Sequence, residues 1–113
     1  MPYDEGLAHR IRESLKQHRG ITEKKMFGGL AFMSRDYMFV GIQGDILMAR
    51  VGTDAYADSL SRPHVRVMDF TAKPMHGYVF VDPPGFENDL ELSAWVQKCH
   101  RYVQSLPPKK AKA

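Results

Sequence analysis

The chain predicts an α+β fold: a two-layer sandwich in which a five-stranded, mainly antiparallel sheet carries helices on one face, in the order α-β-β-β-α-β-β-α. Three observations lead there. Apolar residues recur at helical spacing near both ends of the 113 residues, and short runs rich in β-branched, aromatic and methionine side chains fill the middle. Turn-forming residues separate those runs.

The first element is a helix over residues 3–18. Leu7, Ala8, Ile11 and Leu15 share one face, Arg10, Arg12, Glu13, Lys16 and Gln17 the other, and Gly20 is placed to close it. Residues 30–33, 37–43 and 46–51 then read as a three-stranded meander, turned at Ser34-Arg35-Asp36 and Gly44-Asp45. Thr53 is the expected cap of a short helix over 54–60, which Pro63 ends. Two further strands, 65–70 and 77–82, flank a loop over 71–76. Pro83-Pro84-Gly85 breaks the second of them, and Asn88 with Glu91 has the form of a capping box. Leu92, Trp95, Cys99, Val103 and Leu106 give the last helix one apolar stripe, stopped by Pro107-Pro108.

Residues 1–106 are read as a single domain and 107–113 as a basic, disordered tail. A lone cysteine excludes an internal disulfide. No apolar stretch reaches the roughly 18–20 residues that cross a bilayer. The Met-Pro start lacks the pattern of a secretory leader, so a cytoplasmic location is expected. The net charge of +3 is unevenly spread, at +2 over residues 1–25, −4 over 26–97 and +5 over 98–113. An acidic body argues against a specific nucleic-acid surface. Arg12, Lys16 and Arg19 on the first helix, with Lys109, Lys110 and Lys112 in the tail, are the candidate phosphate contacts, and they give DNA only a weak or indirect role.

The chemistry-bearing residues do not assemble into a recognised catalytic pattern. Gly28-Gly29 fits neither phosphate-binding glycine motif and precedes a strand, so it is read as backbone that needs positive φ or close approach. His9, His18, His64, His76, His100 and Cys99 lack the spacing of zinc ligands, and Cys99 falls on the apolar stripe; no metal and no cofactor is expected. No serine lies in a nucleophile elbow. Asp69 and Asp82 sit in or at the end of the last two strands, where they could face each other or Arg66, and a cross-strand ion pair or a turn hydrogen bond is favoured over acid–base chemistry. A non-enzymatic protein is therefore expected. The best polar constellation is Asp69, Lys73 and His76 around Lys73-Pro74-Met75. With Tyr37 and Phe39 it forms the expected interaction surface. Alternation along 37–43 puts Tyr37 and Phe39 on one face and Met38, Val40 and Ile42 on the other. The uncovered face of the sheet would then expose apolar groups to a protein partner or to a second copy, as a homodimer.

The run Lys25-Met26-Phe27-Gly28-Gly29-Leu30-Ala31-Phe32-Met33, followed by Tyr37-Met38-Phe39-Val40-Gly41, Leu47-Met48-Ala49-Arg50-Val51-Gly52, Met68-Asp69-Phe70-Thr71, Lys73-Pro74-Met75 and Gly77-Tyr78-Val79-Phe80-Val81, resembles the N-terminal domain of the TfoX (Sxy) family. These are bacterial regulators of competence for DNA uptake. The resemblance implies the same two-layer arrangement and a coactivator role beside a transcription factor, the cAMP receptor protein, at target promoters. Because Asp69-Phe70 and Pro74-Met75 recur in the family pattern, it also implies that their loop is a contact surface. Larger members carry a further C-terminal domain of helix-hairpin-helix character, of which these 113 residues show no counterpart. The alternative is direct DNA binding through the first helix and the tail. A third reading is a small-molecule binding protein or enzyme using Asp69, Lys73 and His76.

Overall fold

A computed structural model describes residues 3–26, 28–68 and 76–107. Asp4 opens helix α1 (Glu5–Leu15) by accepting the Gly6 and Leu7 N–H groups on its carboxylate at 2.8 and 3.2 Å, which satisfies two of the orphan donors of the first turn. Strands β1 (Ile21–Met26), β2 (Gly29–Ser34), β3 (Tyr37–Gln43) and β4 (Ile46–Arg50) follow. Helix α2 (Tyr56–Leu60) leads to β5 (Val65–Val67) and β6 (Tyr78–Val81). A 3-10 turn at Pro83–Phe86 then precedes helix α3 (Asp89–Gln104). Asn88 caps α3 by accepting the Glu91 N–H at 2.8 Å, as the sequence predicts.

The sheet has six strands, in the order β1-β2-β3-β4-β6-β5, and every pairing is antiparallel. The sixth strand is β1, a segment with no alternating apolar pattern to announce it. It pairs from Ile21 opposite Ser34 to Met26 opposite Gly29, and its side chains are exposed or half-exposed throughout. Gly28 takes φ +72°, and a Cβ on Gly29 would collide with the Ile42 carbonyl oxygen. One glycine therefore supplies the turn and the other the close approach. Arg35 and Asp36, at φ +54° and +67°, form the two-residue turn between β2 and β3.

The β2–β3 ladder slips between Phe32 opposite Val40 and Met33 opposite Met38, leaving Phe39 as an extra residue. Simple alternation fails at that point. Tyr37, Phe39, Val40 and Ile42 all pack toward the helices, in one core with Leu7, Ile11, Val96, Cys99 and Val103. Across the sheet, Met48, Met68 and Phe80 form a second, smaller cluster flanked by Met38, Ile46 and Tyr78. Gly41 leaves the space that the Met38 and Met48 methyl groups fill.

Two expectations are corrected here. Thr53 does not cap α2 with its side chain; Ala55 holds the cap position without a side-chain bond, and the Thr53 carbonyl accepts the Tyr56 N–H at 3.4 Å. The face opposite the helices is also closed at its centre, where Met48, Met68 and Phe80 are all buried. Among the described residues the exposed large hydrophobic is Leu90 at the start of α3, so the apolar patch expected on that face is not found there.

Candidate functional site

The end of β4 and the start of β6 lie next to Gly77 and build an aromatic rim. Arg50 and Tyr78 are opposite each other in the β4–β6 ladder, so their side chains share a face. The Arg50 guanidinium carbon lies 5.3 Å from the ring centres of both Tyr37 and Tyr78, and 5.7 Å from that of Tyr102 on α3. A cation beside aromatic rings within about 6 Å is attracted by their quadrupoles. The chain reverses next to this group. Val51 and Gly52 donate their N–H groups to the Gly77 carbonyl at 2.8 and 3.0 Å, and Gly77 takes φ +89°. Any side chain at Gly52 would strike the Tyr102 ring. His76 is thereby fixed just outside β6, exposed, with its ring 5.2 Å from that of Tyr56 on α2.

The structure separates the residues expected on the interaction surface. His76 is on the rim. Tyr37 is half-buried there, with its hydroxyl donating to the Pro107 carbonyl at 2.7 Å. Phe39 is fully buried and meets His100 edge-on at 5.3 Å, so it presents nothing at the surface; the face it shares with Tyr37 is the one the helices cover. Asp69, Lys73, Pro74 and Met75 lie outside the described residues. Arg50, Tyr78 and Tyr102 complete the rim and were not singled out from the sequence. They are far apart along the chain, and only the β4–β6 register and the packing of α3 join them.

The first-helix cations meet acidic neighbours. Arg12 makes a two-pronged contact to Glu23 on β1, at 2.7 and 2.8 Å, and that hydrogen bonding holds the Glu23 carboxyl below its ordinary range. Lys16 is 3.5 Å from Glu13, and Arg19 is exposed. Lys109, Lys110 and Lys112 lie outside the described residues. On the other sheet edge Arg66 binds Asp82 at 2.9 to 3.2 Å, one of the arrangements the sequence leaves open, and this lowers the Asp82 pKa.

Other polar side chains tie the helices to the sheet. Arg35 donates to the Val103, Gln104 and Leu106 carbonyls and so closes the C-terminal end of α3. His18 and His100 stack with ring centres 4.0 Å apart. His18 bonds Gln97 at 2.7 Å, while Gln104 bridges His100 and Ser34. Burial, with His18 as a second cause, lowers the His100 pKa. Burial pushes the Cys99 thiol up to about 12, which keeps it neutral and unreactive at physiological pH. Among the described residues no three His, Cys, Asp or Glu side chains converge as metal ligands would, and no helix is long and apolar enough to cross a membrane.

Fold and site together define a small α+β domain: an antiparallel sheet with helices on one face, ion pairs tying α1 to β1 and α3 and β5 to the end of β6, and an aromatic rim where β4 and β6 meet α3. The family model described as TfoX N-terminal domain matches residues 13–102, from within α1 to the last turn of α3, and the chain belongs to that family. No curated protein and no solved structure matches it.

Proposed function

We propose that this chain is a non-catalytic, cytoplasmic contact module that regulates transcription, in competence for DNA uptake or a related programme, by binding a transcription factor already at its promoter. Membership of the TfoX N-terminal family over residues 13–102 is the observation that carries this reading. The distribution of reactive groups supports it. The thiol is neutral and buried, and the strongest ion pairs, Arg12–Glu23 and Arg66–Asp82, hold strands and helix together rather than converge on a shared cavity.

In this reading the rim formed by Arg50, Tyr78, Tyr102 and His76, together with residues 69–75 that precede it in the sequence, is what the partner touches. Aromatic residues and arginine give large contact area at low ordering cost. DNA contact stays indirect, because two of the three candidate cations of the first helix face carboxylates. Transcript profiling tests the proposal in a strain lacking the gene, complemented with the wild-type chain or with His76→Glu. The expected result is a coherent set of promoters that falls in the deletion, recovers with wild type and recovers only in part with the variant. An unchanged transcript set in the deletion would overturn it.

A further inference from the structure

Beyond the aromatic rim, a cleft of about 420 Å³ opens between the α2–β5 connection, the 3-10 turn and the outer face of α3. That volume is within the usual range of small-molecule sites. Ala94, Trp95 and Pro84 supply its apolar lining, and Arg62, Lys98 and Arg101 stand around it against one lining carboxylate, Glu91. Lys98 and Arg101 have no carboxylate at ion-pair distance among the described residues. The Arg62 contact to Asp58 is long, at 4.0 Å, and exposed.

Two of these cations are also held in place. Arg62 and Lys98 lie 5.8 and 5.7 Å from the Trp95 ring, and the Trp95 N–H donates to the Gly85 carbonyl at 3.3 Å. His64, at the lip, takes φ +66°, and its carbonyl accepts the Asp82 N–H at 2.8 Å. A non-glycine residue held in the left-handed region is the kind of local strain that collects at binding sites. The neighbouring cleft at the start of α1 differs, because its Arg10 is already engaged by the Phe86 and Glu87 carbonyls and by Asp89.

We propose that the cleft beside Trp95 binds a small organic phosphate monoester. Its phosphate lies among Arg62, Lys98 and Arg101, and its carbon skeleton rests over Ala94, Trp95 and Pro84. Charge favours an anion here: Arg62, Lys98 and Arg101 stand against Glu91 in the lining and the exposed Asp58 at 4.0 Å from Arg62, so positive charge is in excess, and a phosphate monoester, carrying about −1.5 to −2 near neutral pH, offsets it. Guanidinium groups also match phosphate oxygens in two-pronged geometry. This site goes beyond the regulatory reading and does not depend on it.

Trp95 is the chain's single tryptophan, so its emission reports on the cleft without a label. The probes are adenosine 5′-monophosphate, adenosine and inorganic phosphate, titrated to about 10 mM, the weak end of useful affinity. The monophosphate should change the emission saturably, bind more tightly than either fragment, and be displaced by excess phosphate. Lys98→Gln with Arg101→Gln should weaken it at least about tenfold, since two charge-assisted contacts are lost. Arg62→Gln, on an exposed connection that tolerates change, should weaken it as well. Lys24→Gln with Lys25→Gln on the remote strand β1 removes the same charge and should leave affinity within about twofold, because distant exposed charges are screened. Three results would overturn the assignment: no saturable change in emission or in the Trp95 indole resonance, adenosine binding as tightly as its phosphate, or equal weakening by the two double variants.

Discussion

His100 shows how one side chain couples packing to pH. It is buried on α3 between the ring of His18 and the edge of Phe39, and burial favours its neutral form. Its folded pKa therefore lies below the ordinary value of 6.5, so near that pH the unfolded chain binds more protons than the folded one. The stability it contributes is complete above the unfolded value and is lost as pH falls from there toward the lower folded value. Glu23 and Asp82, whose pKa values are also lowered, act in a separate and more acidic window, below their ordinary 4.5 and 3.8. Urea midpoints measured from about pH 8 to pH 5 should thus decline through the histidine range, and His100→Gln should flatten that decline. An identical slope in the variant would remove His100 as the cause. The sequence shows Cys99 and His100 as neighbours on a helix, and the apolar stripe identifies Cys99 as buried. The stacking of His100 on His18 depends on how α1 and α3 cross, which no local pattern encodes. Phe39 is a harder case. Alternation along residues 37–43 is sound until the bulge adds a residue, after which Val40 and Ile42 exchange faces.

At the scale of elements, the two helices and the central strands were legible because each has a covered face and a period to match. Strand β1 was not. As an edge strand with Thr22, Glu23, Lys24 and Lys25 exposed, it carries no alternating pattern, and its charges suit an edge that must not recruit another strand. Its existence follows from the Gly28 turn and from pairing with β2, neither of which leaves an apolar signal. The β2–β3 turn has a similar hidden logic. Arg35 sits at positive φ, an unfavourable place for a branched or long side chain, yet its guanidinium there reaches three carbonyls at the end of α3. Arg35→Ala should lose about 1–2 kcal/mol, the range for hydrogen bonds to a charged donor that is partly exposed. Arg35→Gly should lose less, because glycine relieves the backbone cost while still removing the cap. Amide exchange in the last turn of α3 should accelerate in both variants. If exchange there stays at the wild-type rate, the arginine does not hold the helix end.

For the molecule as a whole, the glycines and apolar runs that carry the family likeness are the residues that build the sheet and its two clusters. This is why family and fold were readable while the rim, which the assembled sheet creates, was not. Gly29, Gly41, Gly52 and Gly77 mark places where chains approach or reverse, and such positions define a scaffold more sharply than any surface pattern does. The rim of Arg50, Tyr78, Tyr102 and His76 draws on β4, β6, α3 and the connection before β6, so it exists only once the sheet is assembled. Its role as a protein contact is the central claim, and fluorescence anisotropy tests it most directly. Labelled promoter DNA is titrated with the purified chain, alone and with the cAMP receptor protein already bound, at physiological ionic strength. The account predicts affinity at least about tenfold higher when the receptor is present, within the usual range of coupling between sites, and a loss of that gain in Arg50→Ala. Tight, sequence-selective binding to bare DNA with no gain from the receptor would contradict it.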